Sequence, residues 1–273
     1  MPISAELREV LDTQRAATQR LAEDKAREIA EVYADAAADA RRALLSLDPE
    51  SATAANYRTI VAIAEDTRAT IQERLGETLT STGTEGAVIA RESLAGVVRV
   101  AAPNVLPTVR RIAPVEDVAA VLDDMLALHY QTSVETYGLD ALRRMRGAMG
   151  AAIAKGQTVI EAAQAIADAA GIEPWRAERI ARTEASYAVN RREWADVQAI
   201  AADDPDEAWR KSLSATFDTR TGDDSRQLDG QAVPIDAPFT DVDGDPYQHP
   251  PNRPNDREVV IYLPADAMQD VLR

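Results

Sequence analysis

The sequence contains no cysteine. It therefore has no disulfide framework, no thiolate ligand for zinc and no cysteine nucleophile. Aromatic residues make up only 4% of the chain, while alanine is abundant. A core must be built mainly from Ala, Leu, Val and Ile, the residues of closely packed helices. We therefore expect an α-rich protein, and 273 residues suffice for one large or two modest domains.

Positive charge is also scarce, because 30 basic residues stand against 46 acidic ones and the formal net charge is −16. Binding to phosphate groups depends on concentrated positive charge. We therefore expect no strong binding of nucleic acid. Two local arginine clusters, at residues 143–146 and 191–192, are explained more simply as solvated helix faces.

Long apolar runs are absent, since no unbroken stretch of about 18 apolar residues occurs. The first ten residues do not show a basic segment followed by an apolar one. These features predict a soluble protein made in the cytoplasm, without a membrane partner. The sequence also has no Gly-x-Ser-x-Gly elbow and no phosphate-binding P-loop, so hydrolase and packaging-ATPase activities are disfavoured.

Helical patterning dominates the first half of the chain. Residues Ser4 to Leu47 are almost free of Gly and Pro and carry apolar residues at helical spacing, which predicts a long first helix. Pro49 interrupts it, and a second helix is expected to run to about Leu79, completing an antiparallel hairpin. The small, polar run Ser81–Gly86 predicts a flexible connection or turn.

Shorter helices are expected between Ala87 and Ile112, followed by a helix that ends at Gly138, a predicted C-cap. We place a domain boundary there, with a helical docking region at 1–138 and a second domain at 139–273. A further helix is expected over Leu139–Lys155.

The second domain combines helices with short strands. A capping box formed by Thr158 and Glu161 predicts the start of a helix that ends near Gly171. Pro174 is expected in the first turn of another long helix, which ends near Ala202. Three short strands are predicted, at 214–217, 232–235 and 258–263. The predicted fold is thus mainly α with a small C-terminal α+β module: a long N-terminal helical hairpin, a helical middle region and a short β-hairpin or sheet near the C-terminus.

Three motifs follow one another between about residues 139 and 264. The first is a glycine-led helix at Gly156–Glu161, followed by Ile-Ala-Arg-Thr-Glu at 180–184. The second is Asp-Thr-Arg-Thr at 218–221, followed by Leu-Asp-Gly at 228–230. The third is Pro-Pro-Asn-Arg-Pro-Asn at 250–255. In this order and spacing they resemble the Mu F-type phage head morphogenesis (minor capsid) proteins.

The resemblance implies a structural minor capsid protein of a tailed bacteriophage, associated with the portal vertex during head assembly and a candidate for retention in the virion. It implies no enzymatic activity and no cofactor. The expected partner is the portal protein, with the major capsid or scaffolding protein as alternatives. The N-terminal helical region lies outside the matched motifs, and we expect it to dock a helical partner.

The motif residues are expected to have structural roles. Arg182, Thr183 and Glu184 point about 100° apart around one helix, so they cannot converge on one substrate atom. We expect Arg182 or Glu184 to form an ion pair with the hairpin, through Arg220 or Asp218. Asn190 is expected to cap a neighbouring loop, and the Asp-containing segments suit turns. The residues assigned to the family motifs are Arg182, Thr183, Glu184, Asn190, Asp218, Arg220, Thr221, Asp229, Gly230, Pro254 and Asn255.

One departure from the family pattern concerns zinc. Many relatives carry Cys-x-x-Cys in the second motif and a His and a Cys near the third, a set with tetrahedral zinc spacing. The corresponding positions here hold Gly222, Ser225, Arg253 and Asp256. We therefore predict no structural zinc. Instead, we expect Arg253 and Arg257 to bridge acidic residues; the candidates are Asp223, Asp224 and Asp229.

Two other functions stay open. A DNA-associated internal protein that leaves the head with the genome is compatible with the resemblance, although the −16 charge disfavours tight DNA contact. A magnesium-dependent nuclease would draw on a set of carboxylates, but no Lys or His lies nearby for proton transfer. The carboxylates of that set are Asp218, Asp223, Asp224 and Asp243. The acidic segment 241–245 resembles a calcium loop, although a turn is favoured.

Overall fold

The computed structural model describes residues 3–46, 54–114, 124–219, 221–254 and 256–272. The helices are α1 (Ala5–Leu45), α2 (Ala54–Ala101), a 3₁₀ turn (Pro103–Val105), α3 (Leu106–Ile112), α4 (Asp124–Ala154), α5 (Val159–Ala170), α6 (Pro174–Asp203), α7 (Asp223–Leu228) and α8 (Ala265–Leu272). The strands are β1 (Trp209–Ser214), β2 (Ala232–Pro234), β3 (Phe239–Thr240), β4 (Pro246–Tyr247) and β5 (Val259–Pro264). This confirms the predicted fold class of a mainly α protein with a small C-terminal sheet.

The chain forms two compact units, each assembled from separate stretches of sequence. We call the first the sheet unit; it comprises the described parts of residues 1–23, 82–123 and 179–273. The second, the helical unit, comprises the described parts of residues 24–81 and 124–178. The division into domains at residue 138 stays a prediction.

The sheet unit is built around an antiparallel sheet with strand order β2-β1-β5. β1 pairs with β5 from Trp209↔Pro264 to Ser214↔Val259. Every residue of β5 is buried, so the sheet needs cover on both faces. Part of that cover comes from the N-terminal helices, whose apolar side chains share one core with the strands. These side chains are Leu7 and Leu11 of α1, and Leu94, Val97 and Val98 of α2.

The helical unit has a core of Ala, Leu, Ile and Met side chains, as the composition predicted. One buried cluster of this core consists of Leu44, Ile60, Ala64, Leu142, Met145, Ala163, Ile166 and Ala170. Within this unit α1 and α2 pair antiparallel: Arg74 Nη1 lies 2.9 Å from Asp35 Oδ2, and Lys25 Nζ donates to Ser81 Oγ at 3.0 Å. The predicted hairpin is therefore confirmed.

The capping box at the start of α5 is also confirmed. The Thr158 N–H donates to Glu161 Oε2 at 2.9 Å, and the Glu161 N–H donates to Thr158 Oγ1 at 3.3 Å. These two bonds satisfy amides that have no partner inside the helix. The Thr158 N–H and the Thr158 hydroxyl, which donates to Glu161 Oε2 at 3.0 Å, lower the pKa of the Glu161 carboxyl because they stabilise its charged form.

The prediction of a flexible turn at Ser81–Gly86 is wrong, because α2 continues through it to Ala101. Thr82 is fully buried, and a Cβ added to Gly86 would lie 2.8 Å from the Cβ of Ala188. The small residues thus permit close approach of α6 to α2. The predicted C-cap at Gly138 is wrong for a similar reason: it lies inside α4, and a Cβ there would collide with the Gln72 side chain.

Two predicted strands are confirmed at β2 and β5, but the first lies earlier than expected. β1 ends at Ser214 because the Ala215 N–H donates to Asp229 Oδ1 at 2.9 Å instead of to a strand. Trp209 is 4% exposed and belongs to the core, whereas Trp175 is 52% exposed and does not.

Candidate functional site

The family-motif residues meet where β1 ends. Arg182 and Asn190 reach this region from α6, and Asp218 from the loop after β1. Together with Arg257 and Glu258, from the segment before β5, they line a cavity of about 320 Å³. The fold therefore brings together three motif residues separated by up to 36 positions in sequence.

The loop after β1 is held by the turn chemistry that the sequence predicted. The Asp218 N–H donates to Thr221 Oγ1 at 3.1 Å, and the Thr221 N–H donates to the Asp218 carbonyl at 3.2 Å. The Thr221 hydroxyl also donates to the Thr216 carbonyl. Arg220 lies outside the described residues.

Asp229 and Gly230 form the second predicted turn. Asp229 accepts the bond from Ala215 that ends β1, and the Gly230 N–H donates to the Leu213 carbonyl at 2.9 Å. Gly230 has φ +78°, a left-handed conformation that a residue with a Cβ adopts only with strain. Both residues therefore fix the path from β1 through α7 to β2.

Asp218 forms a two-pronged ion pair with Arg257. Arg257 Nη1 lies 2.6 Å from Asp218 Oδ2, and Nη2 lies 2.8 Å from Oδ1. This hydrogen bonding raises the pKa of the Arg257 guanidinium. The predicted pairing of Arg257 with Asp223, Asp224 or Asp229 is corrected accordingly: its guanidinium reaches Asp218 because the segment before β5 runs beside the loop after β1.

The predicted ion pair of Arg182 or Glu184 with the hairpin stays a prediction. Glu184 is 1% exposed. Thr183 donates its hydroxyl to the Arg179 carbonyl, 2.8 Å away in the preceding turn of α6.

The four positions that correspond to the Cys and His set of the resembling family lie together. Gly222, Ser225, Arg253 and Asp256 line one cavity of about 300 Å³. Arg253 makes three contacts here. It pairs with Asp224, and its Nη2 donates to Ser225 Oγ at 3.3 Å and lies 3.5 Å from Asp256 Oδ1. The predicted bridge from Arg253 to an acidic residue is confirmed for Asp224.

Arg253 thus joins α7 to the loop before β5 by charge-assisted hydrogen bonds, where a metal would join them by coordination. Its backbone N–H adds a bond to Asp256 Oδ2 at 3.1 Å. In the parts of the chain that the structure covers, no three His, Cys, Asp or Glu side chains are grouped to hold a metal ion. Pro254 is exposed beside Arg253, and Asn255 lies outside the described residues.

Two carboxylates next to this cross-link are buried, Asp256 at 8% and Glu258 at 3% exposure. Burial raises the pKa of the Asp256 carboxyl, against the opposing effect of Arg253. Burial also raises the pKa of the Glu258 carboxyl; the neighbouring Asp256 adds to this rise, and the Ser225 hydroxyl offsets it in part. Both groups therefore hold a proton to higher pH than exposed carboxyls do.

Asn190 is 2% exposed and fixes the start of β5. Its Nδ2 donates to the Ser186 carbonyl at 2.9 Å and to the Glu258 carbonyl at 3.4 Å. The prediction that the Asn190 amide caps a neighbouring segment is confirmed.

α1 also contributes to this region, which the sequence did not reveal. Arg15 Nη2 donates to Ser214 Oγ at 2.8 Å and to the Ser214 and Ala215 carbonyls, both at 3.2 Å. Burial lowers the pKa of the Arg15 guanidinium, against the opposing effect of Asp12. Arg15 is 199 residues from Ser214 in sequence, so no local pattern could have assigned it.

α2 and α6 are joined by a buried ion network. Arg91 Nε lies 3.2 Å from Asp196 Oδ2, and Arg192 Nη2 lies 2.6 Å from Asp196 Oδ1. The side chains of Arg91 and Asp196 are 4% and 5% exposed. The N-terminal helices are thus attached to the motif region by charge as well as by the apolar core.

Several arginines of the two clusters bind other residues of the protein. Arg144 pairs with Asp140 at 3.2 Å and donates to the Ala169 carbonyl at 3.0 Å. Arg146 pairs with Glu65, and Arg191 is only 6% exposed. Their interpretation as solvated helix faces is therefore wrong for Arg191, which packs over the Trp194 ring at 4.8 Å.

The acidic segment after β3 is the turn that the sequence favoured over a calcium loop. Asp241 Oδ1 accepts the Asp243 N–H at 3.0 Å and the Asp245 N–H at 2.8 Å. For the nuclease alternative, Asp218 and Asp224 are each paired with an arginine. This arrangement fits cross-linking of loops better than metal-assisted catalysis.

Comparison with known proteins covers the same region. Residues 144–261 match the family model described as phage Mu protein F like protein. This segment belongs to the phage Mu F-like family. It includes every motif residue from Arg182 to Asn255 and amounts to somewhat less than half of the chain. No curated protein and no solved structure matches the chain.

The Mu F-like segment indicates a phage head morphogenesis protein and a component of the phage particle. In the described parts of the chain, every helix is too short or too polar to cross a lipid bilayer.

Proposed function

We propose that this Mu F-like protein is a minor capsid protein of a tailed phage, which docks on the portal during head assembly and is retained in the virion. The family match supports a role in head morphogenesis. The observation that carries the docking role is the distribution of exposed apolar side chains between the two units.

Large apolar side chains are exposed mainly in the helical unit. Leu128, Ile160 and Trp175 are 57%, 55% and 52% exposed. In the described chain, the exposed large apolar residues of this unit are Leu45, Val61, Leu128, Leu139, Ile160 and Trp175, whereas those of the sheet unit are Phe217 and Val242. These side chains are candidate contact points for another protein, because Trp is enriched among the residues that dominate binding energy.

In the sheet unit, by contrast, the charged side chains around the motifs pair with one another. Asp218, Asp224 and Asp196 are each neutralised by an arginine of the same unit. Charges used in this way hold loops and helices in place. We therefore assign docking to the helical unit and stabilisation of the fold to the Mu F-like motifs.

The test is binding to the portal protein encoded with this chain, measured as a dissociation constant by isothermal titration calorimetry. Loss of a tryptophan at the centre of an interface costs at least about 2 kcal/mol, or roughly 30-fold in affinity. We expect a Leu128→Ser/Trp175→Ser double variant to lose at least that much. Phe217→Ser is the control, because it removes an apolar side chain of the sheet unit that is 64% exposed.

Circular dichroism establishes that both variants keep the helical content of the parent. Unchanged affinity in the double variant, or an equal loss in Phe217→Ser, would contradict the assignment of docking to the helical unit.

A further inference from the structure

The sheet unit has a groove between α1 and α2. The two helices pack closely there, since a Cβ added to Gly96 of α2 would lie 2.9 Å from Val10 Cγ1 of α1. The groove has a volume of about 420 Å³, and its lining residues extend from Glu6 to Ala17 on α1 and from Ile89 to Val100 on α2. Each of these spans rises by about 16 Å along its helix. The groove is therefore about three helical turns long.

The walls of this groove are apolar and belong to the packed interior. Val10 and Val100 are partly buried and pack against the core of the sheet unit. Ile89 packs against a smaller buried cluster that includes Leu21. Ala17 adds a small side chain at one end. An apolar groove of this length between two helices suits the apolar face of a third, amphipathic helix.

Two polar side chains, Gln14 and Ser93, lie between these walls at 3% and 5% exposure. Both interact with the buried Glu193 carboxyl of α6. They therefore take part in the internal polar contacts of the sheet unit, and the character of the groove depends on its walls and its rim.

The rim of the groove is acidic. Glu6, Glu9 and Glu92 are exposed there, together with a single arginine, Arg99, which is also exposed. Among the residues that the structure describes, no lysine or arginine forms an ion pair with any of these three carboxylates. Carboxylates of the motif region are, by contrast, paired with arginines. Three carboxylates and one guanidinium leave the rim with an excess of negative charge that a basic partner would complement.

We propose that this groove binds an amphipathic helix of a partner protein whose apolar stripe is flanked by lysine or arginine residues. The stripe would lie on Val10, Ile89 and Val100, and the long basic side chains would extend to the three rim glutamates. Nucleic acid brings phosphates and a second copy of this chain brings a formal charge of −16, so the rim disfavours both. The proposal goes beyond portal docking through the helical unit and does not depend on it, because the groove belongs to the sheet unit.

The experiment measures binding of fluorescein-labelled 18-residue peptides to the full chain by fluorescence anisotropy. The basic probe carries leucine and alanine on one helical face and lysine on both sides of that face. The acidic probe has glutamate in place of each lysine, and the scrambled probe has the composition of the basic probe without a continuous apolar face. We expect the basic probe to bind saturably with 1:1 stoichiometry, and at least tenfold more tightly than either of the other two.

Glu9→Gln/Glu92→Gln removes two rim charges and keeps the side-chain shapes, so we expect at least a tenfold loss of affinity for the basic probe. Glu31→Gln/Glu77→Gln is the matched control, because it removes two exposed glutamates from the same two helices outside the groove; we expect no change. Thr13→Trp tests the groove itself: Thr13 is exposed and lines it, so the indole should fill the space and reduce the affinity at least tenfold. Circular dichroism verifies that each variant keeps the helical content of the parent.

Four results would overturn the proposal. They are the absence of saturable binding by the basic probe, equal binding by the acidic or the scrambled probe, an equal loss in the control double variant, and unchanged affinity in Thr13→Trp or in the rim double variant.

Discussion

Removal of the Asp196 carboxylate should strongly destabilise the sheet unit. This carboxylate is shared by Arg91 of α2 and Arg192 of α6, and the three side chains are between 4% and 11% exposed. Loss of one partner from a buried ion pair typically costs about 3–5 kcal/mol, because the opposite charge then stays buried without its counter-ion. We expect Asp196→Ala to fall in this range. Arg91 lies outside the Mu F-like match and Asp196 inside it, so the variant tests whether the N-terminal helices stabilise the family segment.

The assay is urea unfolding followed by tryptophan fluorescence, since Trp194 and Trp209 both lie in the sheet unit. Asp203→Ala is the matched control: it removes an aspartate from the same helix, but one whose ion pair with Arg111 is exposed. We expect the control to leave the unfolding midpoint close to that of the parent. A midpoint shift in Asp196→Ala no larger than that in Asp203→Ala would refute the stabilising role of this ion network.

Three further predictions follow from the same core. A fragment of residues 139–273 should show no cooperative unfolding and poorly dispersed amide NMR signals, because it lacks the α1 and α2 side chains of the shared core; a dispersed spectrum would contradict this. Gly86→Ala should destabilise the protein by about 1–3 kcal/mol, because the added Cβ would collide with a neighbouring helix. Gly76→Ala is the control and should stabilise the protein by about 0.5–1 kcal/mol, because a Cβ there meets no other atom. Equal effects of the two substitutions in urea unfolding would refute the close contact at Gly86. Burial raises the pKa of Glu193 from 4.5 to about 8, so the folded state keeps a proton that the unfolded state releases, and stability should fall as the pH rises from about 4.5 to about 8. Glu193→Gln should remove this part of the dependence of the unfolding free energy on pH. An unchanged dependence in Glu193→Gln would contradict the raised pKa of Glu193.

The sequence predicted those elements that depend on local signals. The helix starting after Thr158 and the long helix starting at Pro174 have capping or proline signals within one turn, and both are present. The turn at Asp218 is held by the Thr221 hydroxyl, which accepts a hydrogen bond from a backbone amide three residues earlier. Such features need no knowledge of the tertiary structure.

The wrong predictions concern small residues whose role depends on distant partners. The segment 81–86 is rich in glycine, serine and threonine, which is typical of a turn. However, Gly86 lies where Ala188, 102 positions later in the sequence, packs against α2 and leaves no room for a Cβ. Gly138 was interpreted as a helix end for the same local reason, although Gln72 occupies the space beside it. Local composition does not distinguish a flexible glycine from one at a close helix contact.

The candidate site likewise contains residues whose roles the sequence predicted and residues whose roles it could not predict. Arg253 was expected to bridge an acidic residue because its position in the motif is known from the resemblance, and its pairing with Asp224 confirms that bridge. Arg15 and Arg91 were missed because an arginine on a long charged helix has the same local pattern whether it is solvated or buried. Only contact with β1 and α6 shows their roles.

We propose that this chain docks on the portal protein. The most direct measurement is size-exclusion chromatography with light scattering of the purified full chain mixed with the portal protein encoded beside it. We predict a stable complex whose mass gives a fixed number of copies per portal ring. Separate elution of the two proteins, at concentrations well above micromolar and under conditions that support head assembly, would contradict the claim.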